Sequence, residues 1–127
     1  MNSVLLVGRV SKDPELRETQ SGKKVCYFVL VVPNFGRTMD GSKKDPSFIP
    51  CVVWGKNAEN FTKYNRKGSQ IAVNGRIVPR DYLKTTGEKT KYYEVCCDTV
   101  SFVRSPQMEE NEDIYETDED VLPDSIF

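Results

Sequence analysis

The sequence predicts an all-β fold: a small closed or nearly closed barrel of five strands with one short helix. Five apolar runs rich in β-branched and aromatic residues are separated by turn residues. Two of these runs contain a glycine, which marks the bulges or sharp bends that a small barrel requires. Only one stretch has a helical period, and 127 residues are enough for one hydrophobic core.

The first two strands are predicted at residues 3–10 and 24–33. The first is apolar and interrupted by Gly8, which suggests a bend or bulge. Residues 11–22 are polar and contain two turn dipeptides, so they are expected to form a loop or hairpin. Residues 24–33 are apolar on both faces and β-branched, which favours a central strand.

A long, positively charged loop at residues 34–46 leads into a third strand at residues 47–54. Pro50 lies inside this strand. Because proline cannot donate a hydrogen bond to a neighbouring strand, it indicates an edge position or a bulge.

The period changes after the third strand. Between residues 56 and 68, three apolar side chains recur at a spacing of three: Ala58, Phe61 and Tyr64. Asn57 is suited to the N-cap and Gly68 to the C-terminal end. The pattern predicts one short amphipathic helix.

Two further strands are predicted, at residues 70–80 and at about 91–103, joined by a hairpin tip at 81–91. The element order is therefore β-β-β-α-β-β, with the helix between strands three and four. This order matches the OB-fold, a five-stranded Greek-key barrel. We expect residues 1–104 to form this domain.

Charge divides the chain into two parts. Residues 1–104 contain all 18 basic residues and ten of the 19 acidic ones, a net charge of +8. The other nine acids lie in residues 105–127, which have no hydrophobic period and are expected to be a disordered acidic tail. A basic body with an acidic arm suggests a polyanion as the ligand.

Several classes of protein are disfavoured. There is no histidine, which removes the commonest general base, and the four cysteines lack the spacing of a zinc site. We therefore expect no enzyme, no metal and no cofactor, and buried, reduced thiols. Residues 1–7 do not resemble a signal peptide and no run is long enough to span a membrane, so a cytoplasmic location is expected, in a bacterial cytosol or nucleoid or in the host cytoplasm if the chain is phage-encoded.

Aromatic and basic residues lie close together in three places, and a fourth aromatic residue shares a strand with one of them. Phe35 is close to Arg37, Trp54 to Lys56, and Tyr82 lies between Arg80 and Lys84, while Phe48 shares a strand face with Trp54. Flat side chains that stack unpaired bases, with cations beside them for phosphates, are typical of proteins that bind single strands. Aromatic residues on strands are more often core residues, but a loop has little core for Phe35 or Tyr82 to fill.

These segments together resemble a known family. Residues 4–10 (VLLVGRV), 13–17 (DPELR), 54–59 (WGKNAE), 67–70 (KGSQ), 74–77 (NGRI) and 93–95 (YEV) occur in the order and spacing of the bacterial and phage single-stranded DNA-binding proteins, the SSB family. Residues 118–127 (DEDVLPDSIF) resemble the acidic C-terminal tip of the family.

The resemblance implies an OB-fold, a homotetramer, and DNA wrapped over the aromatic side chains of Phe35, Phe48, Trp54 and Tyr82. It places phosphate contacts at Lys56, Lys67 and Arg80. It also implies that the tail recruits partner proteins of replication, repair and recombination through Asp118, Glu119, Asp120, Asp124, Ile126 and Phe127. An apolar C-terminus preceded by carboxylates suits a basic-rimmed apolar pocket on such a partner.

The sequence therefore predicts a protein that binds single-stranded DNA without marked sequence preference and protects it. Two alternatives remain open. An OB-fold of this composition also suits RNA or a structured nucleic acid, in which case the 2′-hydroxyl would be recognised. The aromatic residues would instead form a protein interface if the chain were an interaction module of a replication assembly.

Overall fold

A computed structural model describes residues 1–105. It contains six strands and one helix: β1 (Val4–Val10), β2 (Arg17–Glu18), β3 (Lys24–Val32), β4 (Ser47–Trp54), α1 (Gly55–Tyr64), β5 (Gln70–Leu83) and β6 (Lys89–Arg104). No helix within the described part of the chain is long and apolar enough to cross a membrane. The predictions made for the acidic tail from residue 106 onward lie outside the described residues.

Five of the strands close into a barrel. Strand β1 pairs with β5, β5 with β6, β6 with β4, β4 with β3, and β3 pairs back with β1. Only the β4–β6 pair is parallel, as in Cys51 with Val95. The predicted OB-fold is confirmed, with α1 between the third and fourth barrel strands. The short β2 pairs with the start of β3 and lies in the segment predicted to be a loop or hairpin.

Two glycines permit the close strand contacts of this barrel. A Cβ on Gly8 would lie 2.4 Å from the backbone oxygen of Val31, and one on Gly75 would lie 2.2 Å from that of Cys96. The register of β5 against β6 also shifts between Asn74 and Gly75. Both predicted mid-strand glycines therefore mark places where only a residue without a side chain fits.

The barrel interior is the hydrophobic core, and α1 packs against it. Leu30, Val53 and Ile71 are fully buried inside the barrel. From the helix, Phe61 stacks on Phe28 of β3, with ring centroids 4.4 Å apart. Cys26, Cys51 and Cys97 are buried, as predicted, whereas Cys96 is half-buried. Burial raises the pKa of the Cys26 thiol, which keeps it protonated.

The helix differs from its prediction at both ends. It begins at Gly55, with Trp54 as the N-cap residue and no side-chain capping bond, so Asn57 is not the N-cap. The Asn57 amide instead donates to the backbone oxygen of Asp98, 3.3 Å away. The helix ends before Gly68, because Asn65 is already extended. Tyr64, predicted on the apolar face, is exposed.

The β5–β6 hairpin is longer than predicted. Its pairing continues without interruption from Val78 and Glu94 to Leu83 and Lys89, leaving only residues 84–88 for the tip. Because most side chains at this end are polar, hydrophobic alternation did not predict these strand residues. Pro50 agrees with its predicted edge position, because β6 pairs with β4 only at Cys51 and Val52, just after the proline.

Candidate nucleic-acid interface

A groove of about 590 Å³ crosses the outer surface of the barrel. Its walls are the segment between β1 and β2 on one side and the start of β6 on the other, and strands β3 and β4 form its floor. It is lined by Ser11, Lys12, Asp13, Pro14, Glu15, Arg17, Tyr27, Phe28, Val29, Pro50, Cys51, Tyr92 and Glu94. In the OB-fold, this strand face and the adjoining loops are where oligonucleotides bind.

The floor of the groove is apolar. Alternation along β3 directs Cys26, Phe28 and Leu30 into the core, and Tyr27 and Val29 outward. Tyr27 remains 43% exposed, and Val29 is also exposed. The strand is paired on both sides, as the prediction of a central strand requires, but its apolar outer face is open to solvent. Exposed apolar surface of this kind is able to contact the flat face of a ligand.

One wall of the groove is tied to the turn that follows α1. The backbone N–H of Lys67 donates to the Asp13 carboxylate at 2.8 Å, and the N–H of Gly68 donates to the oxygen of Val10 at 2.8 Å. Buried Arg9 donates from Nη1 to the Gly68 oxygen at 3.0 Å. Lys67, predicted from the resemblance as a phosphate contact, is therefore placed beside this wall with its side chain exposed.

Trp54 lies at the end of β4, half-buried beside Tyr27. The two rings meet edge to face, with centroids 6.5 Å apart and planes at 73°. The Lys23 ammonium lies 5.5 Å from the Trp54 ring centroid, within the range of a cation–π interaction. The predicted aromatic residue is thus grouped with a second aromatic residue and a cation.

Arg80 connects the hairpin to the floor of the groove. Its Nη2 donates to the Tyr27 hydroxyl at 2.9 Å, and its Nε forms an ion pair with Glu94 at 3.2 Å. Only 2% of Glu94 is exposed. Burial raises the pKa of its carboxyl, and the neighbouring Arg80 partly offsets this rise.

Tyr82 and Lys84 lie further along the same hairpin. The Tyr82 ring contacts the Tyr92 ring edge to face at 6.3 Å, and both are partly exposed. The backbone N–H of Lys84 donates to the oxygen of Glu88 and closes the tip. These residues continue the line of aromatic and basic side chains that begins at Trp54.

The remaining predicted residues lie in the segment between β3 and β4, at the start of β4 and at the start of α1. Phe35 and Arg37 belong to the segment between β3 and β4, where Phe35 is 75% exposed. Phe48 is 63% exposed at the start of β4, six residues from Trp54 and therefore roughly 20 Å along the strand. Lys56 is exposed at the start of α1 and pairs with Glu59 at 3.6 Å.

Sequence reasoning missed four residues of the group: Lys23, Tyr27, Tyr92 and Glu94. The alternation of Tyr27 with Cys26 and Phe28 was visible, but a run apolar on both faces does not show which face is open. Glu94 was quoted within a family segment without a role. No group of three or more metal-ligating side chains occurs within residues 1–105.

Comparison with known sequences agrees with this architecture. The profile of the single-strand binding protein family matches residues 1–103. The chain belongs to this family. It is 41% identical over 107 residues to single-stranded DNA-binding protein 3 of Listeria innocua, covering 84% of this chain and 66% of that protein. Family membership confirms the resemblance seen in the sequence, and the relatives are binding proteins, in agreement with the expectation that the chain is not an enzyme.

Two further relatives are similar. The single-stranded DNA-binding protein of Enterococcus faecalis is 41% identical over 105 residues, covering 83% of this chain and 55% of that protein. Single-stranded DNA-binding protein 1 of Staphylococcus aureus is 38% identical over 117 residues, covering 91% of this chain and 74% of that protein. The chain thus spans from about half to three quarters of the length of these three family members.

Proposed function

We propose that this chain binds single-stranded DNA with little sequence preference and protects it during replication, recombination and repair. The observation that supports this most is the groove, whose exposed apolar floor and aromatic group lie on the face that OB-folds use for oligonucleotides. Membership in the single-strand binding protein family supports the choice of ligand.

The proposed mechanism is base stacking combined with phosphate neutralisation. Bases stack on Phe35, Phe48, Trp54 and Tyr82, and each contributes ~1–3 kcal/mol irrespective of its identity. Phosphates are neutralised by Arg37, Lys56, Lys67 and Lys84. Arg80, which the resemblance also predicted as a phosphate contact, is already paired with Glu94 at 3.2 Å. Each phosphate neutralised on a single strand adds about −0.7 to the dependence of log K on log salt concentration. Tight binding with low base preference and strong salt dependence follows.

Assembly into a homotetramer is part of the proposal. It is supported by apolar side chains on the outer face of β1, where Leu5 and Val7 are exposed. Beside them is a shallow apolar groove of about 200 Å³ between β1, β5 and β6. Sedimentation velocity should give four times the mass of one chain, which is 14.5 kDa.

Recruitment of partner proteins by the acidic tip completes the proposal. A second role follows from the charges, because a tail of −9 competes with DNA for a body of +8. Removing residues 106–127 should therefore tighten binding of oligo(dT) at low salt, with a smaller effect at high salt. Equal affinity with and without the tail at low salt would argue against this competition.

The decisive experiment uses the fluorescence of Trp54, the only tryptophan. It is titrated with poly(dT) at low and high salt, and with duplex DNA and poly(U) as controls. Quenching by poly(dT) but not by duplex, weakened by salt, supports the proposal. Preference for poly(U) would favour the RNA-binding alternative. An unchanged signal calls for the same titration on a Trp54→Phe, Tyr82→Trp variant, and silence there would favour a protein-interaction module.

A further inference from the structure

Tyr27 occupies the centre of the groove floor, between the residues predicted as stacking sites. It lies on the outer face of β3 opposite Val52 of β4, with Trp54 to one side. With 43% of its surface exposed, it is open enough to accept a flat ligand. Val29 and Pro50 beside it offer no hydrogen-bonding side chain, so the floor around Tyr27 suits the apolar face of a base.

Three contacts within the chain hold the Tyr27 ring. Its hydroxyl accepts a hydrogen bond from Arg80 at 2.9 Å, and the guanidinium carbon lies over the ring, 5.7 Å from its centroid. Trp54 contacts it edge to face. A side chain that is already ordered loses little conformational entropy when a ligand binds. These contacts are therefore those expected of a preformed binding surface.

Arg80 is itself oriented by Glu94. The carboxylate is almost fully buried and has no hydrogen-bond partner for Oε1 within residues 1–105, so the ion pair with Arg80 balances its charge. Because burying an unpaired carboxylate costs free energy, the Arg80 guanidinium is held beside Glu94. Arg80 then differs from Lys67 and Lys84, because its charge is already balanced before a phosphate arrives.

We propose that Tyr27 is a base-stacking residue of the groove floor, and that Arg80 and Glu94 are positioning residues that hold its ring. This inference rests on the proposed function and adds a fifth stacking site to it. It also gives Arg80 a role distinct from that of the other cations, since most of its effect on DNA passes through Tyr27. The competing explanation is that Tyr27 only covers the barrel, since it lies opposite Val52, which is buried.

The test measures binding of fluorescent oligo(dT) to the full-length chain by anisotropy at several salt concentrations. Tyr27→Thr keeps a residue suited to a strand but removes the ring, and we expect affinity to fall by about 5- to 150-fold. The salt slope should not change, because no phosphate contact is lost. Tyr27→Phe keeps the ring and should cost much less. Tyr64→Ala, on the exposed side of α1, is the matched control and should bind like wild type.

The role of Arg80 is tested by Arg80→Lys, which keeps the charge but lacks the fork that contacts both Tyr27 and Glu94. If Arg80 is a positioning residue, Arg80→Lys should weaken binding and leave the salt slope unchanged. It also predicts that Arg80→Lys costs nothing further in the Tyr27→Thr background, because the ring it positions is gone. Full rescue by lysine, or additive losses in the double variant, would show that Arg80 acts on phosphate directly and would overturn its positioning role.

A measurement on the wild-type chain covers the case in which Tyr27→Thr fails to fold. Oligonucleotides containing 5-iododeoxyuridine are cross-linked by ultraviolet light, and the modified residue is mapped by mass spectrometry. A cross-link at Tyr27 supports the inference. Cross-links at Trp54 and Tyr82 without Tyr27, or wild-type affinity in a folded Tyr27→Thr variant, would refute it. Absence of oligo(dT) binding by the wild type would instead refute the proposed function.

Discussion

The aromatic side chains at the two ends of the candidate interface are supported differently. In the groove, Trp54 contacts both Tyr27 and the Lys23 ammonium. At the other end, Phe35 and Phe48 are mostly exposed, and neither contacts another aromatic ring within residues 1–105. An ordered ring loses less side-chain entropy when a base stacks on it. The groove end should therefore provide more binding free energy per ring than the loop end.

The largest effect is expected at Trp54. Replacing it by leucine should weaken binding of oligo(dT) by ~2–3 kcal/mol, the upper part of the range for one stacked base, because the largest and best-supported ring is lost. Anisotropy titrations on the full chain measure this, with thermal melting as a control for folding. If Trp54→Leu weakens binding no more than Phe35→Leu does, the groove end does not provide more binding free energy per ring than the loop end.

A smaller effect is expected at the loop end. Phe35→Leu and Phe48→Leu should each cost about 1 kcal/mol, the lower limit for a stacked base, because these exposed side chains have no neighbouring ring in the described part of the chain and lose more conformational entropy when a base stacks on them. The same titrations give the values, and Phe48 sharpens the comparison because it lies on a strand. A loss at Phe48 as large as that at Trp54 would show that strand position matters more than contacts between rings.

The loop and the groove also differ in what their sequences reveal. Phe35 in a Gly- and Lys-containing segment was recognisable as an exposed aromatic residue from composition alone. Tyr27 was not, because hydrophobicity along a strand that is apolar on both faces does not distinguish core from surface. Its partner Arg80 is 53 positions away in the chain and reaches it only through closure of the barrel.

Some features of the fold were predicted from local patterns, and others were not. The order of the barrel strands along the chain, the bend at Gly75 and the position of α1 depend on local patterns and were predicted. The helix start was not, because α1 has no side-chain cap and Trp54 occupies the N-cap position. The length of the β5–β6 hairpin depends on cross-strand pairs such as Arg80 with Tyr92, which no local pattern specifies.

Salt dependence provides a third, smaller test. Lys84→Gln should reduce the magnitude of the salt slope by about 0.7, if this exposed lysine neutralises one phosphate. Arg80→Gln should change the slope less, because Glu94 already balances the charge of Arg80 at 3.2 Å. Slopes are obtained from titrations between low and moderate salt. Equal changes in the two variants would show that the ion pair opens when DNA binds.

The smallest effect concerns order within the loop end itself. Between β3 and β4, the Asp40 carboxylate accepts hydrogen bonds from the Ser42 N–H at 3.0 Å, from the Ser42 hydroxyl at 2.6 Å and from the Thr38 hydroxyl. These bonds, the Ser42 hydroxyl foremost, lower the pKa of Asp40 from 3.8 to about 2. The loop end is therefore ordered around Asp40, although Phe35 and Met39 are exposed.

Because the pKa of Asp40 is lowered in the folded protein, its stabilising contribution is present above pH 3.8 and is lost as the pH falls towards about 2. Carbon-13 NMR of the Asp40 carboxyl should give a midpoint near 2, and Ser42→Ala should move it towards 3.8. A wild-type midpoint at 3.8 would mean that these bonds do not form in solution. The loop end would then be less ordered around Asp40, and its difference in order from the groove would be larger. A midpoint near 2 would limit that difference to the aromatic side chains.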